Sequence, residues 1–135
     1  MNKSMESTAG GWTPKAHVYY ILAGNPNTPA RALRRLARSP FERVRLRVAE
    51  NGNTPDAVLL ELLSDENIEV RLAAASNGNV HYGTLTDAIE NGDESVRYML
   101  ADDQSTPTTL LFSLFFDENP YVAFRAEKTL RDKLL

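Results

Sequence analysis

Hydrophobic residues recur along this chain in two alternating sets that repeat every 26 residues. In each period the first set is spaced i, i+3 and i+4, which places its members on one face of a helix, and a second set follows after a short polar break. The first set comprises Leu33, Leu36, Ala37; Leu59, Leu62, Leu63; Leu85, Ala88, Ile89; and Leu111, Leu114, Phe115. The second set comprises Val44, Leu46, Val48, Ala49; Val70, Leu72, Ala74, Ala75; Val96, Tyr98, Leu100, Ala101; and Val122, Phe124, Ala126. The pattern predicts four copies of a two-helix unit, which start at Asn25, Asn51, Asn77 and Asp103 and align without an insertion.

The residues between the apolar sets indicate where each helix begins and ends. Thr28-Pro29, Thr54-Pro55 and Thr106-Pro107 predict helix starts, with threonine accepting free amide hydrogens and proline in the first turn. Turn-forming residues then separate the two helices of a copy, at Ser39-Pro40, Asp65-Glu66, Asn91-Gly92 and Asp117-Glu118. The second helix is expected to be only about two turns long and short enough to be partly 3₁₀. Because Val80-His81 replaces Thr-Pro in the third copy, its first helix is expected to start late, near Thr84, or to be irregular.

Repetition at a fixed period is typical of stacked helical units that share one continuous core, so we expect an all-α solenoid. Val18, Tyr20 and Ala23 occupy the positions of Val44, Leu46 and Ala49 one period earlier, which adds a half repeat and brings the total to about 4.5 repeats. The recurring leucine at position 33, 59, 85 and 111 is expected to form the centre of the core. The predicted organisation is a flexible tail at 1–11 and a single repeat domain at 12–135. That domain divides into a half repeat at 13–24, repeats at 25–50, 51–76, 77–102 and 103–128, and a C-terminal cap at 129–135.

Composition narrows the possible chemistry. The 135 residues are 42% hydrophobic and 24% charged, as in soluble globular domains. The absence of cysteine excludes disulfides, thiolate metal sites and a cysteine nucleophile. His17 and His81 are too few for a metal cluster, and no motif brings together a nucleophile, a base and an orienting group, so no catalytic, metal or cofactor residues are predicted. No apolar run approaches the ~18 residues of a membrane span, and the first residues lack the apolar core of a signal peptide, so we expect a cytoplasmic protein with no membrane partner.

The repeated phrase N-x-N-T-P, then L-x-x-L, an acidic turn and V-R-x-x-A-A, resembles the leucine-rich repeat variant family, whose repeats are HEAT-like. The resemblance covers residues 13–128 and is strongest in the copies at 25–50 and 51–76. It implies a right-handed solenoid in which α-helices alternate with shorter, sometimes 3₁₀, helices in two layers. It implies no activity. One member of that family binds an iron–sulfur cluster through cysteines, which this chain lacks, so no cofactor is expected.

Arginine follows the valine of the second helix in three copies, at Arg45, Arg71 and Arg97. In the resembling HEAT-like stacks such an arginine joins neighbouring repeats through acidic groups. Asp65, Glu66, Asp93 and Asp117 lie in suitable turns, so a structural ladder is the main interpretation. A stripe that binds a ligand is the alternative.

Charge is distributed unevenly along the chain. Residues 1–48 carry nine Lys and Arg against two acidic residues, whereas residues 49–122 carry two Arg against fourteen acidic residues. The spacing i, i+3, i+4, i+7 places Arg31, Arg34, Arg35 and Arg38 on one helix face, and Arg43 and Arg47 lie near in sequence. This basic set either is a solvated helix face or binds anions or nucleic acid. The other copies do not repeat it.

Phe112 and Phe116 occupy the positions of Arg34 and Arg38 in the last copy. Either the C-terminal residues fold back and Leu130, Leu134 or Leu135 covers the two rings, or the rings contact a partner or a second copy of the chain.

These observations favour a non-catalytic protein–protein interaction module built on a repeat scaffold, whose partner is an unidentified protein or the chain itself. The alternative is anion or nucleic-acid binding through the basic set of the first full repeat.

Overall fold

The computed structural model describes residues 12–135, and within that range the chain is all-α, as predicted, with nine helices and no strand. The helices are α1 (Pro14–Gly24), α2 (Ala30–Leu36), α3 (Glu42–Glu50), α4 (Asp56–Leu62), α5 (Ile68–Ser76), α6 (Tyr82–Asn91), α7 (Glu94–Asp102), α8 (Thr108–Phe115) and α9 (Pro120–Leu134). The chain divides into two compact units, the first ending at Asn79 and the second running from Val80 to Leu135. The predicted tail at 1–11 lies outside the described residues.

The first unit consists of two layers. Helices α1, α3 and α5, the second helices of successive copies, pack side by side, and α2 and α4 pack against them as the first-helix layer. Its core is aliphatic: Leu33, Val44, Val48, Val58, Leu59 and Val70 are almost completely buried. In the second unit α9 packs against both α7 and α8, and α6 packs against α7.

The predicted leucine column is confirmed, because Leu33, Leu59, Leu85 and Leu111 are all buried. The predicted second helices of about two turns are confirmed, because α3, α5 and α7 each have nine residues. The expected 3₁₀ geometry was wrong, since these helices are α-helical throughout, and in the first unit they are longer than α2 and α4, which have seven residues. A helix end tightens into 3₁₀ geometry when its last carbonyls lack partners. Here those carbonyls receive hydrogen bonds from side chains of the next copy.

Asparagine side chains supply these bonds between copies in the first unit. The Asn51 amide donates from Nδ2 to the carbonyls of Ala23 (2.8 Å) and Asn25 (3.0 Å). One period later, the Asn77 amide donates to the carbonyls of Ala49 (2.7 Å) and Asn51 (2.9 Å). Both asparagines are buried, so each amide fastens the end of one second helix to the end of the preceding one. We call these bonds the asparagine ladder.

The threonines of the Thr-Pro pairs have a role that the sequence did not predict. Only Thr13 caps its own helix, accepting a hydrogen bond from the Ala16 amide at 3.0 Å. Thr28, Thr54 and Thr106 instead donate their hydroxyl hydrogens backwards, to the carbonyls of Leu22 (2.6 Å), Val48 (2.6 Å) and Leu100 (2.7 Å). The connection between copies is a tight turn, which places each hydroxyl beneath the helix that has just ended. The following proline then occupies the N-cap position.

The third copy starts where the others do, which corrects the expected late start near Thr84. Helix α6 begins at Tyr82, the position of Ala30, Asp56 and Thr108 in the other copies, with His81 in extended conformation as its N-cap. Since threonine at this site serves the preceding helix, its replacement by Val80 does not delay the next one.

The predicted C-terminal cap at 129–135 is not a separate segment. Helix α9 continues without a break for fifteen residues, from Pro120 to Leu134. Its later turns are fixed to the second unit, because the Thr129 hydroxyl donates to the Ala101 carbonyl (2.6 Å) and the Lys133 ammonium donates to the Thr106 carbonyl (2.8 Å).

The asparagine ladder generates the first testable prediction. We expect Asn51→Asp to lower the free energy of unfolding by about 2 to 4 kcal/mol, because the variant places a carboxylate without donor hydrogens against two buried carbonyls. Urea unfolding followed by circular dichroism measures the change. Asn53→Asp, at an exposed site where Nδ2 donates to the Pro26 carbonyl, is the matched control and should cost less than half as much. Equal losses in the two variants would contradict a special role for the buried amide.

Candidate functional site

The three arginines of the predicted ladder make a recurring set of contacts. The Arg45 guanidinium donates from Nη1 to the Ser39 carbonyl (2.8 Å), and it donates to both carboxylate oxygens of Asp65, in the next copy, from Nε at 2.7 Å and from Nη2 at 3.2 Å. Both side chains are buried, with 10% and 8% of their surfaces exposed. The hydrogen bond that Arg45 donates to Asp65 raises the pKa of Arg45. The Arg45–Asp65 pair therefore holds two successive copies together at the turn between their helices.

The same arrangement recurs in the second unit, where Arg97 donates from Nε to Asp117 Oδ2 (2.7 Å) and from Nη1 to the Gly92 carbonyl (2.8 Å). In the first unit, Arg71 likewise donates from Nη1 to a turn carbonyl, that of Asp65, at 2.7 Å. Asp65 and Asp117 each also accept the amide hydrogen two residues further on, which fixes the turn. These contacts place all three arginines within the repeat scaffold, with their donors directed at turns.

The structure separates the predicted basic set into two groups. Three members lie on α2, in the first-helix layer, and Arg38 lies two residues after that helix ends. All four are exposed: Arg31, Arg34, Arg35 and Arg38. The other two, Arg43 and Arg47, lie on α3, in the second-helix layer, where they contact the rings of Tyr20 on α1 and of Trp12, two residues before α1. The six arginines are therefore divided between the two helix layers.

Within the first group, Arg38 is paired. It donates from Nε and Nη2 to the two carboxylate oxygens of Glu61, at 2.9 and 3.3 Å, and 69% of the arginine side chain remains exposed. The hydrogen bond from Arg38 lowers the pKa of Glu61. Because the pKa of Glu61 is lower in the folded chain than in the unfolded chain, this ion pair contributes to stability at neutral pH. That contribution is lost as the pH falls through the folded-state pKa.

The α3 group lies in an aromatic cluster, which we name the Trp12 cluster and define as Trp12, Tyr20, Phe41, Arg43 and Arg47. The Arg43 guanidinium carbon lies 4.7 Å from the centre of the Trp12 ring and 5.8 Å from that of Tyr20. The Arg47 guanidinium carbon lies 4.9 Å from the Tyr20 ring centre. Trp12 meets Tyr20 and Phe41 edge to face, at 5.6 and 6.3 Å between ring centres.

Sequence reasoning did not find this cluster, although a signal exists. Tyr20 and Leu46 occupy equivalent positions in successive second helices, and Arg43 and Arg47 stand three residues before and one residue after Leu46. Stacking α1 on α3 therefore brings both arginines beside Tyr20. Trp12 precedes the repeated phrase and has no counterpart in the copies.

The predicted aromatic pair on α8 is exposed. Phe112 and Phe116 have 48% and 80% of their surfaces accessible, and the C-terminal residues do not fold back over them, since Leu134 and Leu135 are themselves exposed. Of the three leucines expected to cover the rings, only Leu130 is buried, as part of α9. Phe115 packs edge to face against Phe116, at 5.1 Å between ring centres. Tyr121 and Phe124, on α9, are also exposed, at 76% and 68%.

The described residues contain no group of three or more metal-ligating side chains. A search of the described helices for one long and apolar enough to cross a membrane gave none.

Comparison with known families places residues 57–78, which cover most of α4, the turn and α5, in the HEAT repeat. This match supports a HEAT-like repeat family and an all-α repeat fold. No curated protein and no solved structure matches the chain.

Two ion pairs join the copy at 25–50 to the copy at 51–76: Arg45–Asp65, which is buried, and Arg38–Glu61, which is exposed. The difference in burial predicts a difference in their contributions to stability. We expect Arg45→Leu to lower the free energy of unfolding by about 3 to 5 kcal/mol, because it leaves the Asp65 carboxylate buried without its partner. Arg38→Leu should cost at most about 1 kcal/mol, as exposed pairs do. Urea unfolding of both variants at pH 7 measures the difference. A loss below 1 kcal/mol for Arg45→Leu would contradict the proposed link between copies.

Proposed function

We propose that this chain is a non-catalytic, cytoplasmic interaction module that binds a protein partner through the aromatic surface of its second unit. We define the aromatic surface as Phe112, Phe115 and Phe116. The observation that supports this proposal most strongly is the 80% exposure of Phe116 beside an exposed Phe112. HEAT repeats in general serve as protein-interaction scaffolds, which agrees with the match at residues 57–78.

Exposed phenylalanine has an unfavourable free energy in water, and burying one side chain is worth about 1.5 to 3 kcal/mol. Contiguous apolar surface of this kind marks binding sites, and large rings are typical of the residues that dominate binding energy. The position of Phe112 is occupied by Arg34, Leu60 and Thr86 in the other copies, and that of Phe116 by Arg38, Ser64 and Glu90. The repeat fold therefore does not require aromatic side chains here.

Charge around the aromatic surface indicates the kind of partner. Between residues 80 and 122 Arg97 is the only Lys or Arg, and its guanidinium is bound to Asp117. The same stretch contains eight acidic residues. The surface therefore suits a partner that presents an apolar segment flanked by lysine or arginine.

A double variant tests the aromatic surface. We expect Phe112→Ser/Phe116→Ser to lose the protein captured from the source cell by the wild-type chain, or to lose self-association if the partner is a second copy. Affinity capture with mass spectrometry measures the first outcome and sedimentation velocity the second. Leu60→Ser is the control, since Leu60 occupies the position of Phe112 in the second copy and is also exposed. Unchanged partners and an unchanged solution mass in the double variant would overturn the proposal.

A second candidate function, anion or nucleic-acid binding, is supported by an unfavourable arrangement of charge on α2. Arg31 stands in the first turn, where the helix dipole disfavours a cation, and no acidic residue accompanies it. Arg31, Arg34, Arg35 and Arg38 also repel one another at spacings of three and four residues. Arg38 alone of these four has a carboxylate partner within the described part of the chain. Sites that violate local preferences without a structural benefit are often functional.

For this candidate, we expect Arg34→Glu/Arg35→Glu to abolish binding to a duplex or single-stranded oligonucleotide, and wild-type affinity to fall steeply with salt. An electrophoretic gel shift at ~50 mM salt provides the measurement, because low salt favours phosphate contacts. A wild-type chain that shifts neither oligonucleotide under those conditions would eliminate nucleic acid as a ligand.

We also infer that the chain belongs with leucine-rich repeat variants among HEAT-like repeats. The support is the phrase N-x-N-T-P with its 26-residue period, together with the asparagine ladder, in which the first asparagine of the phrase supplies the donor.

A further inference from the structure

Two guanidinium groups converge on one aromatic ring in the Trp12 cluster. Arg43 and Arg47 are four residues apart on α3, and both lie within 6 Å of the Tyr20 ring centre. Two like charges at this spacing repel each other by a few tenths of a kcal/mol on a helix. The ring faces attract each cation separately, by about 0.5 to 1 kcal/mol at partly exposed sites, but they add no negative charge.

Neither arginine has a carboxylate partner within residues 12–135. Ion pairs in that range engage other arginines, namely Arg38, Arg45, Arg97, Arg125 and Arg131 with their acidic partners. The Arg47 Nε atom is also buried without a hydrogen-bond acceptor in the described part of the molecule. The fold therefore brings two cations together and compensates them with rings alone.

The position of Arg47 depends on the absence of a side chain at Gly24, the last residue of α1. A Cβ atom at Gly24 would lie 2.7 Å from both Nε and Nη2 of Arg47. Glycine at this position leaves the space that the guanidinium occupies, directly beside the second cation. Glu50, Ser76 and Asp102 stand at the equivalent position in the following copies, so the repeat itself does not require glycine there.

From this geometry we propose that Arg43 and Arg47 form a binding site for a phosphate dianion, with the rings of Trp12 and Tyr20 positioning the two guanidiniums. Guanidinium groups donate paired hydrogen bonds to phosphate oxygens, and two of them match a charge of minus two. The site lies on α3, in the second-helix layer of the first unit, and it uses neither the four arginines at 31–38 nor the aromatic surface, so it is separate from the functions proposed above. The phosphate is either a free anion or a phosphoryl group on a peptide, and the experiment separates these sources.

The site contains its own probe, because Trp12 is the only tryptophan of the chain. We expect inorganic phosphate to change Trp12 fluorescence saturably at pH 7.5 and low ionic strength, whereas sodium chloride at equal ionic strength gives no saturable change. A phosphoserine peptide that binds at least tenfold more tightly than inorganic phosphate would identify a phosphorylated protein as the source, and equal affinities would identify the free anion. Acetate binding as tightly as phosphate would overturn the assignment to a dianion.

Variants distinguish phosphate binding at a site of defined geometry from non-specific attraction by positive charge. Gly24→Ala retains both charges but displaces Arg47, and because the contact is with the flexible end of a side chain, we expect the variant to remain folded and to bind phosphate at least tenfold more weakly. Gly52→Ala is the control, since a Cβ there meets nothing within 4 Å, and it should bind as the wild type does. Arg43→Ala should lose binding, whereas Arg131→Ala removes the same charge from an exposed position on α9 and should retain it.

Equal weakening in Arg131→Ala and Arg43→Ala would overturn the proposal, and so would unchanged binding in Gly24→Ala. If Gly24→Ala fails to fold by circular dichroism, Arg43→Lys decides: it keeps the charge but loses the paired donors, and binding at the wild-type level would then overturn the proposal. Phe112→Ser/Phe116→Ser should bind phosphate normally, so failure of this site is distinguishable from failure of the aromatic surface.

Discussion

Short helices leave carbonyl groups without partners at their C-terminal ends, and the fold of this chain depends on satisfying those carbonyls. A helix of nine residues has four such groups, nearly half of its acceptors. These carbonyls accept hydrogen bonds from the amides of Asn51 and Asn77 and from the hydroxyls of Thr28, Thr54, Thr106 and Thr129. The donor sits at or after the start of the next copy in most cases, so satisfying a helix end also joins neighbouring elements.

Because the scaffold uses a small number of fixed positions, the remaining surface positions are free to vary. The buried leucines, the asparagine ladder and the Arg45–Asp65 pair all lie within the layers or at the turns between them. The outward positions of the first helices hold arginine in one copy and phenylalanine in another, and no contact within either unit demands that difference. Each candidate binding surface is therefore a local departure from the repeat, built on a framework that tolerates it.

The sequence predicted the parts of the fold that follow from periodicity. Leucine spacing located both helices of every copy and the core column, because burial of one helix face leaves a direct periodic signal. It did not predict the direction of the threonine hydrogen bonds, since the same Thr-Pro pair fits a cap for the next helix or a donor to the last one. The Trp12 cluster was missed because Trp12 stands outside the repeat and its contacts depend on how α1 stacks on α3. The exposure of Phe116 could not be inferred either, because it depended on whether α9 ran straight or turned back.

The ladder contacts span constant distances along the chain: Asn51 and Asn77 each reach back 28 and 26 residues. A single residue inserted within a copy changes the separation between an asparagine donor and its carbonyl acceptor. The ladder hydrogen bonds that span the insertion are then lost. A duplicated or deleted block of 26 residues, by contrast, carries its own donors and acceptors and leaves every other link in register. At the level of the gene, this favours growth and shrinkage by whole copies, and it explains why the copies differ so widely in side chains yet contain no insertion.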